Sequence, residues 1–288
     1  MEKVFLNTLN ETSPVGIYGV NLYVLGQLHT IIVDDYLPVL PDGKGGWNTH
    51  AAKVGEDGSL WGAVLEKALS KYHGNYHHTN GGAMSLSLRT LYGAPEKYMT
   101  HSEFTPDTLW ADMIEHTKNG DIMLMATKGG KGHEYENEVG LSFSHAYSVL
   151  GTMEIEDIRD NSKVRLVKIR NPWGQERYHG AFSDKSDKWT DDLREKAGSV
   201  NKNDGEFFMP IDDYHKWCNL TTANYNVDTW SRSTFLVLDD DNQETLQGGK
   251  CGGTCSYHKF TIKSETTQKL HVKMMTWESR GMPKKCQD

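Results

Sequence analysis

Two short segments carry a histidine and an asparagine that could act together in catalysis. One is Ser-His-Ala-Tyr-Ser-Val at residues 144–149, and the other is Ile-Arg-Asn-Pro-Trp-Gly at residues 169–174. His145 opens one β-like run and Asn171 follows the next, so their side chains can meet if the runs pair antiparallel. An asparagine oxygen that accepts from one imidazole N–H fixes the tautomer and directs the other ring nitrogen toward a nucleophile. The segments therefore predict a general base and the group that orients it.

The residues after Asn171 support the same interpretation. Pro172 lacks a backbone donor and Gly174 allows a turn, so the β-run is expected to end there. Trp173 would shield the histidine–asparagine bond from water and strengthen it. The alternative is that His145 is one more histidine at a strand end and that Asn-Pro-Trp-Gly is an ordinary turn. The two segments on consecutive β-runs favour catalysis, but their spacing alone does not decide it.

Composition excludes several classes of protein. The chain has 288 residues, 31 basic and 39 acidic side chains, and a net charge of -8, which disfavours nucleic-acid binding. The longest clean apolar run, Ile122 to Ala126, is far shorter than the roughly 20 residues of a membrane span. The first thirty residues show no secretory signal, and four cysteines are too few for a disulfide framework. A reduced, cytoplasmic setting is the default expectation.

The first 81 residues form one predicted unit. Residues 1–9 read as the end of a helix, and residues 16–37 read as a hairpin that turns at Gly26. Apolar residues spaced by three and four between Leu60 and Tyr72 predict a helix with Ser59 as its N-cap. The pair Gly81-Gly82 marks a plausible boundary.

A second unit is predicted over residues 82–226. Thr105-Pro106 opens a helix that ends by Gly120. The β-runs at residues 121–127, 145–151 and 164–170 follow, and residues 211–217 could form a short helix. The stretch between Trp173 and Glu206 reads as a loop. A third segment, 227–288, carries strand-like runs at residues 233–238, 257–263 and 269–277 and looks like the start of an all-β domain.

The chain resembles the calpains, the calcium-dependent branch of the papain-like cysteine proteases. The histidine and asparagine segments match the family's, with Ser144 in place of a glycine. Further matching segments, in family order, are residues 33–38 (VDDYLP), 60–68 (LWGAVLEKA), 204–207 (DGEF) and 218–221 (CNLT). The resemblance implies an α+β, papain-like core that lacks its N-terminal part, followed by a partial all-β sandwich.

The resemblance also implies roles for the site residues. His145 would be the general base, Asn171 its orienter, and Trp173 the tryptophan beside the cleft. The family's cysteine lies upstream at the head of a helix and would precede residue 1 here. None of the four cysteines present matches it by motif: Cys218 belongs to the family's Cys-Asn-Leu-Thr segment, and Cys251, Cys255 and Cys286 lie in the C-terminal segment.

Calcium is the second implied feature. The resemblance places one set of carboxylate ligands at Asp184, Asp204 and Glu206, and leaves Glu66 as the remaining ligand of another. A further acidic ligand falls at Arg177, whose charge would repel the ion. The neighbouring Glu176 could compensate, but the strand direction is expected to turn it away. The alternative is that these acids are solvated loop charges.

Three functions are therefore open. The chain is expected to be a calpain homologue without its nucleophile, non-catalytic and acting on a protein partner as a scaffold or interaction module. It could instead belong to an active calcium-dependent endopeptidase of protein substrates whose cysteine-bearing segment is missing from these residues. A calcium sensor without catalysis is the third. Loss of the helix that normally packs between the lobes should also expose apolar surface at Trp61 and Leu65.

Overall fold

The computed structural model describes residues 4–7, 11–55, 57–130 and 132–226. Beyond these it describes 228, 234, 245–247, 254–256, 263, 265–267, 269–273 and 275. The described elements combine helices with antiparallel sheets, as an α+β fold requires. Within the described residues, no helix combines the length and apolarity needed to cross a bilayer.

The first part of the chain is a small layer of hairpins and helices. Its elements are β1 (Ile17–Val24), β2 (Gln27–Asp34), β3 (Val39–Pro41), β4 (Trp47–Thr49), α1 (Trp61–Tyr72), a 3-10 turn (Tyr76–Thr79) and α2 (Met84–Tyr92). β1 and β2 form the predicted hairpin, and its two-residue turn places Leu25 at φ 49° and Gly26 at φ 79°. Positive φ at both positions matches the right-handed twist of the flanking strands.

An apolar cluster holds this layer together. Val20 and Leu22 of β1 are fully buried against Val64 and Ala68 of α1. α2 begins after the Gly81-Gly82 pair, yet its Leu91 and Tyr92 pack on the same cluster, and its residues also contact the larger sheet described below. α2 thus joins the first part of the chain to the second.

Two local predictions in this part are wrong. Residues 4–7 are not helical: Phe5 forms an isolated antiparallel bridge with Val20, in which Leu6 N–H donates to Gly19 O at 2.9 Å and Asn21 N–H donates to Val4 O at 2.7 Å. The α1 N-cap is Leu60, which offers no capping side chain, rather than Ser59. Ser59 is engaged in the preceding turn instead, where its N–H donates to Asp57 Oδ1 at 2.9 Å.

The second part is built on a six-stranded antiparallel sheet. Its elements are β5 (Glu96–Thr100), a 3-10 turn (His101–Glu103), α3 (Pro106–Asn119), β6 (Ile122–Thr127), β7 (Ala146–Asp157), β8 (Ser162–Arg170), α4 (Asp191–Ala197), β9 (Glu206–Pro210), α5 (Ile211–Trp217) and β10 (Cys218–Asn224). The strand order is β5-β10-β6-β7-β8-β9. The predicted β-runs over β6, β7 and β8 and the predicted helix at α5 are confirmed.

α3 confirms its sequence signals in detail. Thr105 Oγ1 accepts from Thr108 N–H at 3.2 Å, Pro106 is the first helical residue, and Gly120 closes the helix at φ 69°. Its Leu109 and Met113 are fully buried against the sheet, where Met125 and Ile169 meet them in one core. This core fixes β7 and β8, the two strands that carry the candidate site.

α4 corrects the prediction of an unbroken loop between Trp173 and Glu206. Thr190 caps it through a hydrogen bond from Leu193 N–H at 3.1 Å, and Gly198 ends it at φ 62°. Leu193 is fully buried with Phe182, Trp189 and Phe208 in a second cluster on the sheet. A seven-residue helix offers too few apolar positions for a clear helical period. Its capping residues, Thr190 and Gly198, are the features of the sequence that could have indicated it.

The C-terminal segment is described only in part. β11 (Thr245–Gln247) and β12 (Thr254–Ser256) pair antiparallel. Of the predicted strands, 233–238 and 257–263 lie almost entirely outside the described residues. Residues 269–273 and 275 are in no strand, which contradicts the described part of the run predicted at 269–277. The predicted β-sandwich therefore stays a prediction.

Candidate active site

The pairing of β7 with β8 brings the predicted histidine and asparagine together. Ser148 pairs with Arg170, so the start of β7 lies beside the end of β8. His145 immediately precedes β7 and Asn171 immediately follows β8. The imidazole Nε2 and the Asn171 Oδ1 are 3.2 Å apart, which is hydrogen-bonding distance.

The surroundings of Asn171 fix the direction of that bond. Asn171 Nδ2 donates to Gln175 O at 3.0 Å, and Trp173 N–H donates to Asn171 Oδ1 at 3.1 Å. The amide oxygen therefore faces the imidazole, and His145 Nε2 must be the donor. The lone pair of the neutral ring then lies on Nδ1. Because Asn171 is only 2% exposed, water competes little for these bonds.

His145 is itself anchored on the sheet. Its backbone N–H donates to Thr127 Oγ1 at 3.0 Å, and its carbonyl accepts from Thr127 N–H at 3.0 Å. The Tyr147 ring meets the imidazole edge-on with a centroid distance of 4.8 Å. Partial burial lowers the pKa of His145, and the bond with Asn171 offsets part of that shift. The imidazole is therefore neutral near pH 7, which a general base requires.

Ser144 lies in a conformation that favours glycine. Its φ is 48°, in the left-handed region, where a Cβ costs about 1 kcal/mol. The calpain-like motif has glycine at this position, and glycine adopts this conformation without the steric cost that serine bears. The strained residue directly precedes His145.

Trp173 covers the imidazole. The two ring centroids are 4.1 Å apart and the planes are tilted by 34°, while the indole stays 40% exposed. The predicted turn is present: Gly174 adopts φ 68° and its N–H donates to Asn171 O at 3.0 Å. Gly205 approaches the same carbonyl so closely that a Cβ there would lie 2.9 Å from it. Neither this packing nor the Gln175 contact could be read from the motif.

Among the four cysteines, the structure describes the side chain of Cys218 alone. This side chain is buried in the protein. It is fully buried at the start of β10, and its thiol contacts Met125 Sδ at 3.0 Å. Burial raises the pKa of the Cys218 thiol far above its usual range. A buried thiol that resists ionisation is a poor nucleophile. Cys251 and Cys286 lie outside the described residues, and of Cys255 only the backbone of β12 is described.

Comparison with known proteins gives a consistent result. A family model described as "Calpain family cysteine protease" matches residues 1–222. The chain belongs to the calpain family. It is 31% identical to mouse Calpain-12 over 202 residues, 69% of this chain and 27% of that protein. It is 30% identical to the rice calpain-type cysteine protease ADL1 over 212 residues, and 29% identical to the crab-eating macaque Calpain-1 catalytic subunit over 256 residues.

These matches cover the site but not the whole relatives. The rice match covers 71% of this chain and 9% of the relative, and the macaque match covers 86% and 34%. The chain thus spans about a third or less of the length of these calpains. The matched range 1–222 contains both His145 and Asn171.

The predicted acidic ligands of the second unit lie near one another but are already partnered. Asp184 is buried, and its Oδ2 accepts from Lys202 N–H at 2.8 Å. Asp204 Oδ1 accepts from Glu206 N–H at 3.0 Å. The Glu206 carboxylate forms an ion pair with Lys168 at 2.8 Å, so the lysine already balances its negative charge.

Glu176 faces the acidic residues and Arg177 faces away from them, which is the reverse of the prediction. Glu176 Oε1 accepts from Asp184 N–H at 3.0 Å, so the expectation that its side chain turns away from the acids is wrong. Burial, followed by the charge of Asp184, raises the pKa of Glu176 to about 7. Arg177 instead reaches Glu136 Oε1 at 2.6 Å, so it does not oppose a cation from within the cluster. Residues 176 and 177 lie in an irregular loop, where side chains do not alternate between two faces as they do along a strand.

The predicted calcium ligands do not form a coordination set. Glu66, in the first part of the chain, accepts from Ala52 N–H at 2.6 Å with Oε2. Among the residues that the structure describes, no three His, Cys, Asp or Glu side chains are grouped so that they could hold a metal ion. The side chains as arranged do not fit a calcium ion.

The apolar surface predicted on the first unit is present at Trp61 and only in part at Leu65. Trp61 at the start of α1 is 52% exposed, although Leu65 is half-buried. A cavity of about 260 Å³ lies beside Trp61, between α1 and α2, with Leu65, Leu69 and Leu86 in its lining. The lining of this cavity is mixed, with Glu66, His73 and Thr90 beside the leucines, so the apolar part of the surface is centred on the exposed indole.

Proposed function

We propose that this chain supplies the imidazole and the orienting amide of a calpain-type cysteine protease site, and that these 288 residues do not hydrolyse peptides by a thiol route. The support is the pairing of His145 with Asn171 together with the state of Cys218. The base is oriented, while the one described thiol is fully buried. In cells, the chain then acts on a protein partner as a scaffold or interaction module.

The chemistry of the pair sets this limit. With Nε2 donating to Asn171, His145 Nδ1 can accept a proton from a group placed beside it. Acyl transfer needs a thiolate at that place. Without one, the imidazole can only orient water, and the loss of a triad nucleophile costs several orders of magnitude in rate.

A peptidase assay tests the proposal. The purified chain is incubated with a fluorogenic peptide library, and hydrolysis is compared with that of a His145→Ala variant. We expect equal, background rates for the two proteins. A rate that falls when His145 is replaced would show that the chain is itself a peptidase and would refute the proposal.

The alternative is an active endopeptidase whose nucleophile lies outside these residues. The intact geometry favours it, because Asn171 and Trp173 hold the imidazole and Thr127 holds the His145 backbone, as a working base would need. Sequencing the N-terminus of the native protein and labelling it with an epoxide or vinyl-sulfone probe separates the two functions. A covalent adduct on a cysteine upstream of Met1 would support the alternative. A native N-terminus at Met1 without an adduct would remove it.

The interaction role is supported by the surface at Trp61. A photo-crosslinking residue at position 61 is compared in cell extract with one at Trp47, which is also exposed but lies on the separate β3–β4 hairpin. A protein partner on the α1–α2 surface predicts a defined crosslinked species from position 61 and none from position 47. Identical patterns from both positions would contradict it.

A calcium sensor is the third candidate. The adjacent carboxyl groups of Glu176 and Asp184 favour it as oxygen donors, although burial raises the pKa of both groups and so weakens their negative charge. The ion pair of Glu206 with Lys168 opposes it. Isothermal titration decides: heat of binding that disappears in an Asp184→Asn variant supports this function, and no binding at millimolar calcium removes it.

A further inference from the structure

Arg177 joins two loops that meet next to the candidate base. Its guanidinium bonds to Glu136 Oε1 at 2.6 Å and lies over the Trp173 ring, with 5.6 Å from Cζ to the ring centroid. The same indole contacts the His145 imidazole at a centroid distance of 4.1 Å. Glu136, Arg177, Trp173 and His145 therefore form one continuous series of contacts.

We propose that Arg177 is a positioning residue: held by Glu136, it keeps the Trp173 indole against His145. The proposal rests on the proposed function only in treating His145 as the base. Arg177 is expected to change how much of the His145 imidazole the Trp173 indole covers. This effect does not depend on whether a thiol lies beside the imidazole.

The backbone is shaped to bring Glu136 to Arg177. His179 N–H donates to Val139 O at 3.0 Å, which ties the loop of Arg177 to the loop of Glu136. Gly140 has φ 81°, and a Cβ on it would lie only 1.9 Å from the Arg177 carbonyl oxygen. Any other residue at position 140 would push the two loops apart. This close approach keeps the backbones of the two loops together and so places the side chains of Glu136 and Arg177 within reach of each other.

Trp173 depends on such a contact for its position. Its backbone is fixed by the bond to Asn171, but its ring is 40% exposed. At this exposure, a cation–π contact and an ion pair together shift the equilibrium between an indole packed on His145 and an indole turned away from it by about fivefold. Among the described residues, the His133 ring also lies near the indole, with centroids 6.2 Å apart, and Glu134 is 3.9 Å from His133. Neither contacts the ring as closely as His145 does.

The test measures how accessible His145 is in the intact chain. Carbethoxylation by diethyl pyrocarbonate modifies neutral imidazole, and peptide mass spectrometry gives the rate at His145 as a function of pH. The variants are Arg177→Gln, Glu136→Gln and Arg177→Lys. The control is Arg165→Gln, because Arg165 also lies over an indole, Trp110 at 5.9 Å, and pairs with Asp107 and Glu154. The two arginine side chains are similarly exposed, Arg177 by 41% and Arg165 by 37%.

We expect the His145 rate to rise about fivefold in Arg177→Gln and in Glu136→Gln. The midpoint of its pH profile should also move upward, because a better solvated imidazole is more basic. Arg177→Lys should restore part of the protection, and Arg165→Gln should leave both quantities unchanged. An unchanged rate and midpoint in both Arg177→Gln and Glu136→Gln would overturn the proposal. An equal rise in Arg165→Gln would do the same. Neither result depends on peptidase activity, so a failure of the proposed function leaves this test intact.

Discussion

Replacing Asn171 by alanine removes the side chain that fixes the tautomer of His145. Three hydrogen bonds disappear: from His145 Nε2 at 3.2 Å, from Trp173 N–H at 3.1 Å, and to Gln175 O at 3.0 Å. Trp173 N–H and Gln175 O belong to exposed residues and can be partly rescued by water. Each bond then contributes about 1 kcal/mol, so the free energy of unfolding should fall by roughly 3 kcal/mol.

The loss can be measured in two independent ways. For a chain of this size, ~3 kcal/mol corresponds to a drop in Tm of about 6–12 °C. Long-range ¹H–¹⁵N NMR of the His145 ring should show protonated Nε2 in the parent chain and a mixture of both tautomers in the variant. An Asn201→Ala variant is the control, because Asn201 lies on an exposed loop.

One result would refute this reasoning. If His145 in Asn171→Ala keeps the Nε2-protonated tautomer as fully as the parent, the amide does not orient the base. The hydrogen bond read from the structure would then carry no catalytic meaning. A drop in Tm without a change of tautomer would assign Asn171 to the turn alone.

Two further predictions concern strain and buried charge. Ser144→Gly should relieve the positive φ of 48° and raise Tm by ~2–4 °C in thermal melts, and an equal or lower Tm would show that the backbone there is unstrained. His101 is buried against Thr221, and burial lowers its pKa to about 4. Since its folded pKa is depressed, its contribution of about 3 kcal/mol is present above pH ~6.5 and is lost as the pH falls toward 4. Urea titrations of the parent and of His101→Gln should therefore converge in acid, and parallel pH dependences would contradict the assignment.

The strands and helices with strong local signals could be predicted from the sequence. α3 has a capping threonine, a proline at its first turn and a glycine at its end, and all three are used as expected. β7 and β8 were visible as β-runs, and antiparallel pairing was enough to place His145 beside Asn171. The family resemblance, carried by the same segments, is confirmed by the match over residues 1–222.

Features that depend on distant contacts could not be predicted. Residues 4–7 have a helix-like composition, yet β1 offers them backbone partners, so they form a bridge to that strand instead of a helix. The direction of Glu176 depends on Asp184, eight residues further along an irregular loop. The contact of Arg177 with Glu136 spans 41 residues and needs Gly140 between them. No periodicity in the sequence encodes such contacts.

Covalent labelling of the cysteines tests the central claim most directly: these 288 residues hold an oriented imidazole and no thiol that it can activate. The folded, purified chain is treated with a peptidyl epoxide, and the adducts are mapped by mass spectrometry beside a His145→Ala variant and a urea-unfolded sample. We predict no His145-dependent adduct on Cys218, Cys251, Cys255 or Cys286 in the folded chain. An adduct on any of these cysteines that requires His145 would contradict the account.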